Sequence, residues 1–176
     1  MKQMSDSLVI IPTYNEKENI EKMIRKVFSL SVSSPSEGST KEGFHILIVD
    51  DGSPDGTADI VKNLQKEFSG KLFIEERKGK AGLGTAYIHG FKYALKKGYE
   101  YIFEMDADFS HNPEDLIRLR EASIKGGDMV VGSRYIEGGK VENWPMNRIL
   151  MSKYASLYAR SILWINIHDT TAGFIC

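Results

Sequence analysis

An apolar run, Tyr101-Ile-Phe-Glu-Met, ends in two carboxylates one residue apart, Asp106-Ala107-Asp108. In extended backbone the side chains at i and i+2 leave the same side of the strand, so both acids reach one point. Two carboxylates that close repel unless a cation lies between them. Hard oxygen ligands suit Mg²⁺ or Mn²⁺, ions that retain water and accept phosphate oxygens as further ligands. The plainer alternative is that Asp108 opens an Asx-turn while Asp106 is simply solvated. Other apolar runs also end in acids. Phe44-His-Ile-Leu-Ile-Val49 leads into Asp50-Asp51-Gly52, with Asp55 and Thr57 placed to cap a helix. A carboxylate there can accept from a ribose hydroxyl or a base N–H. Ile10-Ile-Pro12-Thr13-Tyr14-Asn15-Glu16 closes a further strand with proline, then offers a ring, a hydroxyl and an acidic helix start.

The elements that must position these groups alternate along the chain. Apolar runs at 8–11, 44–49, 72–75, 101–105 and 129–131 read as strands, and 170–175 as another. Between them, Ile20, Ile24, Val27 and Leu30 keep one helical face, as do Ala58, Val61, Leu64 and Phe68. Leu83, Tyr87, Phe91, Ala94 and Leu95 mark a third helix, Asn112-Pro113-Glu114 starts a fourth, and residues 145–163 make a fifth. Strand and helix in alternation predict an α/β domain with a mostly parallel, Rossmann-like sheet flanked by helices. Ligands then belong at the carboxyl ends of the strands. Residues 31–43, with five serines, a proline and two glycines, read as a surface loop.

The chain of 176 residues is read as a single domain, 1–176, with 23 basic against 24 acidic residues and a net charge of −1. Such a balance argues against a protein that coats nucleic-acid backbone. The one cysteine, Cys176, permits no internal disulfide. No apolar run approaches the roughly 20 residues that span a bilayer, so the expectation is a cytoplasmic protein whose membrane contact is peripheral. A final strand with nothing to cover it suggests a domain truncated at its C-terminal side.

These residues in this order resemble glycosyltransferase family 2, and more fully its polyprenol-phosphate (dolichyl-phosphate) mannose synthase branch. The stretches that carry the likeness are IPTYNE, IVDDGSPDGT, GLGTAYIHG, MDADFSHNP, VGSRY and DTTAGF, spread over residues 9–174. The resemblance implies a GT-A (nucleotide-diphospho-sugar transferase) fold and inverting transfer of mannose from GDP-mannose to a polyprenyl or dolichyl monophosphate at the membrane surface. Pro12, Tyr14, Glu16, Val49 and Asp51 would frame the nucleotide, with Met105 and Ala107 lining that site through their backbone. Asp106 and Asp108 would hold Mg²⁺ or Mn²⁺ against the donor diphosphate. Ser110 stands where some relatives carry a third metal ligand. Arg134 and Arg148 match the acceptor-phosphate positions, Arg134 counting with Asp106 and Asp108 as catalytic, and Asp169 falls where relatives keep an acid near the acceptor.

A phosphate monoester is already largely dianionic at neutral pH, so such an acceptor needs arginines to hold it more than a base to deprotonate it. A UDP-sugar donor such as UDP-glucose, with polyprenyl phosphate or a glycan as acceptor, stays open on these motifs. A phospho-receiver domain is more distant, because Asp50-Asp51 follows the second strand rather than the first. A dinucleotide-binding fingerprint is absent after the first strand. The basic, glycine-rich 78–84 segment reads either as a loop closing over phosphates or as a solvated one. His45, His89, His111 and His168, and both tryptophans, are assigned to packing or to the surface.

Overall fold

Strand alternation in this sequence sorts the core into two layers. In the computed structural model, which describes residues 5–30, 43–135, 145–165 and 167–176, Leu8 and Ile10 of β1 (Ser7–Thr13) face one way, and Val9 and Ile11 the other. Leu47 and Val49 of β2 (His45–Asp50) are divided from Ile46 and Ile48 in the same manner. Strands covered on both faces lack the polar face that alternation would otherwise show. With β3 (Leu72–Glu76) and β4 (Tyr101–Glu104) they form a parallel sheet in the order β3-β2-β1-β4.

On one face lie α1 (Ile20–Ser29), α2 (Thr57–Glu67) and α4 (Asp115–Ile124), which bury Ile20, Met23, Ile24, Val61, Leu64, Leu116 and Leu119. The other face takes α3 (Leu83–Lys97) through Ala86, Tyr87 and Ala94. Gly90 lets this helix come close: a Cβ there would stand 2.6 Å from Ile10 Cγ2. Ala86, Gly90 and Ala94 thus join Tyr87 on the buried face of α3, and Leu83 and Leu95, expected to share it, are exposed.

Several expectations are corrected. Residues 129–131 do not form a strand; Val131 makes a single antiparallel bridge to Ile175, which also bridges Glu104. The chain curls immediately afterwards, where Ser133 N–H reaches Val131 O at 2.9 Å, so the ladder cannot extend. The 170–175 segment accordingly makes bridges rather than a strand, wedged between β4 and residues 130–132. Pro113 and Glu114 form a turn ahead of α4 instead of its first residues. The fifth helix, α5 (Met146–Leu163), exists, but Ser156 is its one buried side chain. Trp164 is 91% exposed rather than packed. Trp144 and the serine-rich stretch 31–42 lie outside the described residues.

Candidate active site

The carboxyl ends of β1, β2 and β4, together with the start of α3, enclose a cleft of about 220 Å³. Pro12, Thr13, Tyr14 and Glu16 form one wall, Asp51, Lys80, Gly82, Leu83 and Ala86 another, and Asp106, Ala107 and Asp108 a third. The parallel register explains the convergence. Pro12 pairs with Val49 and Ile10 with Glu104, so the three chains leave the sheet at one edge.

The adjacent acids Asp50 and Asp51 have different surroundings. Asp50 is 1% exposed and accepts from Thr13 Oγ1 (2.9 Å), Ser53 Oγ (2.6 Å) and Ser53 N–H (2.9 Å), so it shapes the loop. Asp51 reaches the cleft, with Arg77 Nε donating to Oδ1 at 2.5 Å and Ala81 N–H to Oδ2 at 3.3 Å. The neighbouring turn is bound across to the segment ahead of α1: Glu16 N–H donates to Thr57 Oγ1, and Lys17 N–H to Asp55 Oδ2, both at 3.0 Å. Burial opposes ionisation of Asp55, but the Thr57 hydroxyl and the Thr57 and Lys17 amides outweigh it and hold its carboxyl below the usual range.

Asp106 accepts from Tyr87 Oη at 3.2 Å and lies 3.7 Å from His111 Nε2, which is stacked on Phe174. Burial first, then the Asp106 charge, raises the Tyr87 phenol far above its ordinary pKa, so it stays a donor. Burial and the same charge raise the Glu104 carboxyl. Asp108 does open an Asx-turn, accepting Ser110 N–H at 2.9 Å, and it also lines the cleft. Phe109 (φ 59°) and Asn15 (φ 62°) hold left-handed backbone beside it. Such strain concentrates at functional sites.

Among the described residues no three His, Cys, Asp or Glu side chains gather tightly enough to hold a metal ion by themselves. The donor set nevertheless fits a hard cation, because Asp106 and Asp108 present only oxygen ligands and leave room for water and phosphate to complete the shell. Val49 and Met105 are wholly buried, so their side chains belong to the core beneath the cleft.

Arg134 lies outside this cleft. Its Nε and NH2 meet Asp169 Oδ2 and Oδ1 at 2.9 and 2.7 Å, and NH2 also meets Thr171 Oγ1 at 2.7 Å. The Asp169 hydrogen bonds raise the Arg134 pKa. Burial opposes ionisation of Asp169, but the arginine outweighs it and lowers the carboxyl. Thr171 continues to Ser152 Oγ of α5 at 2.7 Å. Arg148, exposed in the first turn of α5, is four residues before Ser152 and so on the same helical face. The tail links the two regions, since a Cβ on Gly173 would lie 3.6 Å from both Asp106 Oδ2 and His111 Nε2.

Sequence reasoning passed over Arg77, Thr85, Tyr87 and Thr171. The signal for Arg77 was its place immediately after β3, at a fourth strand end. His89 sits 3.3 Å from Glu75 and is partly exposed, away from the cleft lining.

A parallel sheet delivering strand-end carboxylates into one cleft is the arrangement of GT-A nucleotide-sugar enzymes. The structure is similar to a mannosyltransferase of Pyrobaculum calidifontis solved with GDP-Man and Mn²⁺, with a TM-score of 0.50 and 23% identity, covering 65% of this chain and 30% of that one. The chain belongs to glycosyl transferase family 2, whose family model matches residues 8–175. It is 46% identical over 168 residues to the polyprenol monophosphomannose synthase of Mycolicibacterium smegmatis, covering 96% of this chain and 60% of that protein. It is 42% identical to an undecaprenyl-phosphate mannosyltransferase of Micrococcus luteus, covering 95% of this chain and 64% of the other. With the dolichol-phosphate mannosyltransferase of Pyrococcus furiosus the identity is 40%, covering 94% and 44%. The chain therefore spans about half to two thirds of the length of these curated relatives.

Proposed function

We propose that this chain is the donor-binding part of an inverting hexosyltransferase that moves mannose from GDP-mannose onto a polyprenyl or dolichyl monophosphate. The observation that carries this reading is the convergence of Asp51, Asp106 and Asp108 on one cleft. The curated relatives, named for mannosyl transfer to polyprenol, undecaprenyl and dolichol phosphates, support the substrate class.

In this reading Pro12, Tyr14, Glu16 and Asp51 contact the nucleoside, with Val49 supporting them from below and Met105 and Ala107 contributing backbone. Asp106 and Asp108, with Ser110 beside them, would hold Mg²⁺ or Mn²⁺, which when bound stabilises negative charge on the leaving diphosphate. Tyr87 orients Asp106 by its hydrogen bond. Arg134, held in place by Asp169, and Arg148 face the acceptor phosphate and orient its attacking oxygen; catalysis is chiefly positional and electrostatic. The membrane surface enters through α5, where Leu150, Met151, Tyr154, Leu157 and Tyr158 are exposed beside basic residues. No helix among the described residues is long and apolar enough to cross a membrane.

The test is thermal stabilisation by GDP and by UDP, each with and without Mn²⁺, followed by turnover of GDP-mannose with a short polyprenyl phosphate in a longer form of the protein. Saturating GDP at about a hundredfold its Kd is expected to stabilise by about 2.7 kcal/mol, with Mn²⁺ enhancing the effect. Stabilisation by UDP in preference to GDP would move the donor to a UDP-sugar, and no response to either would remove the reading.

A further inference from the structure

Arg77 stands behind the cleft residue Asp51 and makes side-chain hydrogen bonds to three partners. It leaves the end of β3 and its Nε donates to Asp51 Oδ1, its NH1 to Thr85 Oγ1 at 2.8 Å and its NH2 to the Gly82 carbonyl at 3.3 Å. Arg77 and Asp51 side chains are 14% and 8% exposed, so the pair is shielded from solvent. Its backbone is fixed as well, since Arg77 N–H donates to Asp50 O at 2.7 Å. Gly52 permits this approach: it has φ +71°, and a Cβ there would lie 3.3 Å from the Arg77 carbonyl oxygen. The segment between Arg77 and Gly82 carries Lys80, whose Nζ sits 4.6 Å from the centre of the Tyr14 ring across the cleft mouth.

We propose that Arg77 is a positioning residue for nucleotide binding, aiming the Asp51 carboxylate into the cleft and tying the 78–82 segment to α3 so that Lys80 stays over Tyr14. The proposal rests on the sugar-nucleotide reading above. A carboxylate has about four acceptor directions. Arg77 and the Ala81 amide occupy one on each oxygen, leaving others for a ribose hydroxyl or base N–H. Without the guanidinium, a nearly buried carboxylate loses its counter-charge and turns toward water. A lysine can still set a cation beside Asp51 but cannot hold Asp51, Thr85 and Gly82 together, because it lacks the planar fork.

The experiment measures Kd for GDP with Mn²⁺, and melting temperature without nucleotide, for wild type, Arg77→Met, Arg77→Lys and Thr85→Val. Arg77→Met is expected to weaken GDP binding at least about tenfold, and Arg77→Lys, which restores the cation but not the fork, to recover only part of that loss. Thr85→Val, which leaves the cation but removes the hydroxyl that meets Arg77 NH1 and the Ala81 and Gly82 carbonyls, should cost about threefold in affinity with at most a small drop in melting temperature. Arg77→Met within threefold of wild type, or Arg77→Lys as weak as Arg77→Met, overturns the proposal. If Arg77→Met does not fold, an unaltered GDP Kd in Thr85→Val overturns it equally. A wild type that binds neither GDP nor UDP removes the sugar-transfer reading and this proposal together. A wild type that binds while every variant matches it removes this proposal alone.

Discussion

Asp169, wholly buried at its side chain, grips Arg134 through two hydrogen bonds of 2.9 and 2.7 Å and takes the Arg134 backbone N–H at 3.1 Å. A residue of the tail thereby fixes both the backbone and the guanidinium of the arginine proposed to meet the acceptor. Removing one partner leaves the other charge stranded, which for shielded pairs costs about 3 kcal/mol. Asp169→Asn should lower stability by that order in denaturant titration. The sign with pH follows from the depressed carboxyl. The stabilisation is complete above the ordinary aspartate value of about 3.9 and fades as pH falls through the lower folded value. The gap between wild type and Asp169→Asn should thus be constant from neutral pH to about 5 and close only in stronger acid.

Arg134→Ala should separate acceptor from donor. GDP affinity is expected to stay within about threefold of wild type, while turnover with polyprenyl phosphate in a longer form falls about a hundredfold, as loss of a charge-assisted phosphate contact implies. An equal fall in GDP affinity would place Arg134 on the donor instead.

Asp108→Asn should remove the part of GDP binding that depends on Mn²⁺, leaving one Kd with and without the ion. Tyr87→Phe should act more mildly. It deletes one hydrogen bond to Asp106, worth about 1 kcal/mol, and is expected to weaken the Mn²⁺-dependent binding several-fold without abolishing it. Calorimetric titration of both variants checks this ordering.

His45 provides a pH signature unconnected with the cleft. It is buried against Tyr99, with Nδ1 2.7 Å from the phenol oxygen, and burial first, then Lys71, lowers its pKa. The unfolded chain takes up a proton below about pH 6.5 that the folded chain refuses, so stability falls as pH drops, by at most about 1.4 kcal/mol per unit. Urea unfolding between pH 7.5 and 5.5 should show that slope in wild type and lose it in His45→Gln.

Gly90→Ala tests the closeness of α3 to the sheet. The new methyl would overlap the Ile10 side chain at 2.6–2.8 Å. The expected cost is about 1–3 kcal/mol of overpacking, read as a lower melting temperature, and an Ile10→Val partner substitution should restore part of it.

The sheet was legible because its strands are short apolar runs closed by turn residues, and the acids at their ends advertise the cleft. The 129–131 and 170–175 segments carry the same composition, yet their pairing depends on a curl at Ser133 and on Gly132 admitting Phe174, which no periodicity encodes. In α3 the apolar pattern found Tyr87 and Ala94 but also pointed to the exposed Leu83 and Leu95, and it missed Ala86 and Gly90, which the close approach to Ile10 favours. Small residues carry little hydrophobic signal. Arg77 and Tyr87 escaped because each matters through one long-range partner, Asp51 and Asp106, and a pairing across 26 or 19 positions leaves no local trace.

The divided fates of Asp50 and Asp51 have a consequence for how this site tolerates change. One carboxylate ties down the turn while its neighbour lines the cleft, and the alternation of side chains at the end of β2 separates the two. Side chains on a strand swap sides with each step. Inserting or deleting a single amino acid between His45 and Val49 would hand the outward role to a different side chain while leaving the overall count of apolar groups almost intact. Recognition at this edge is therefore more brittle toward indels than toward point replacements, and lineages that diverge here should do so by exchange of residues at constant strand length.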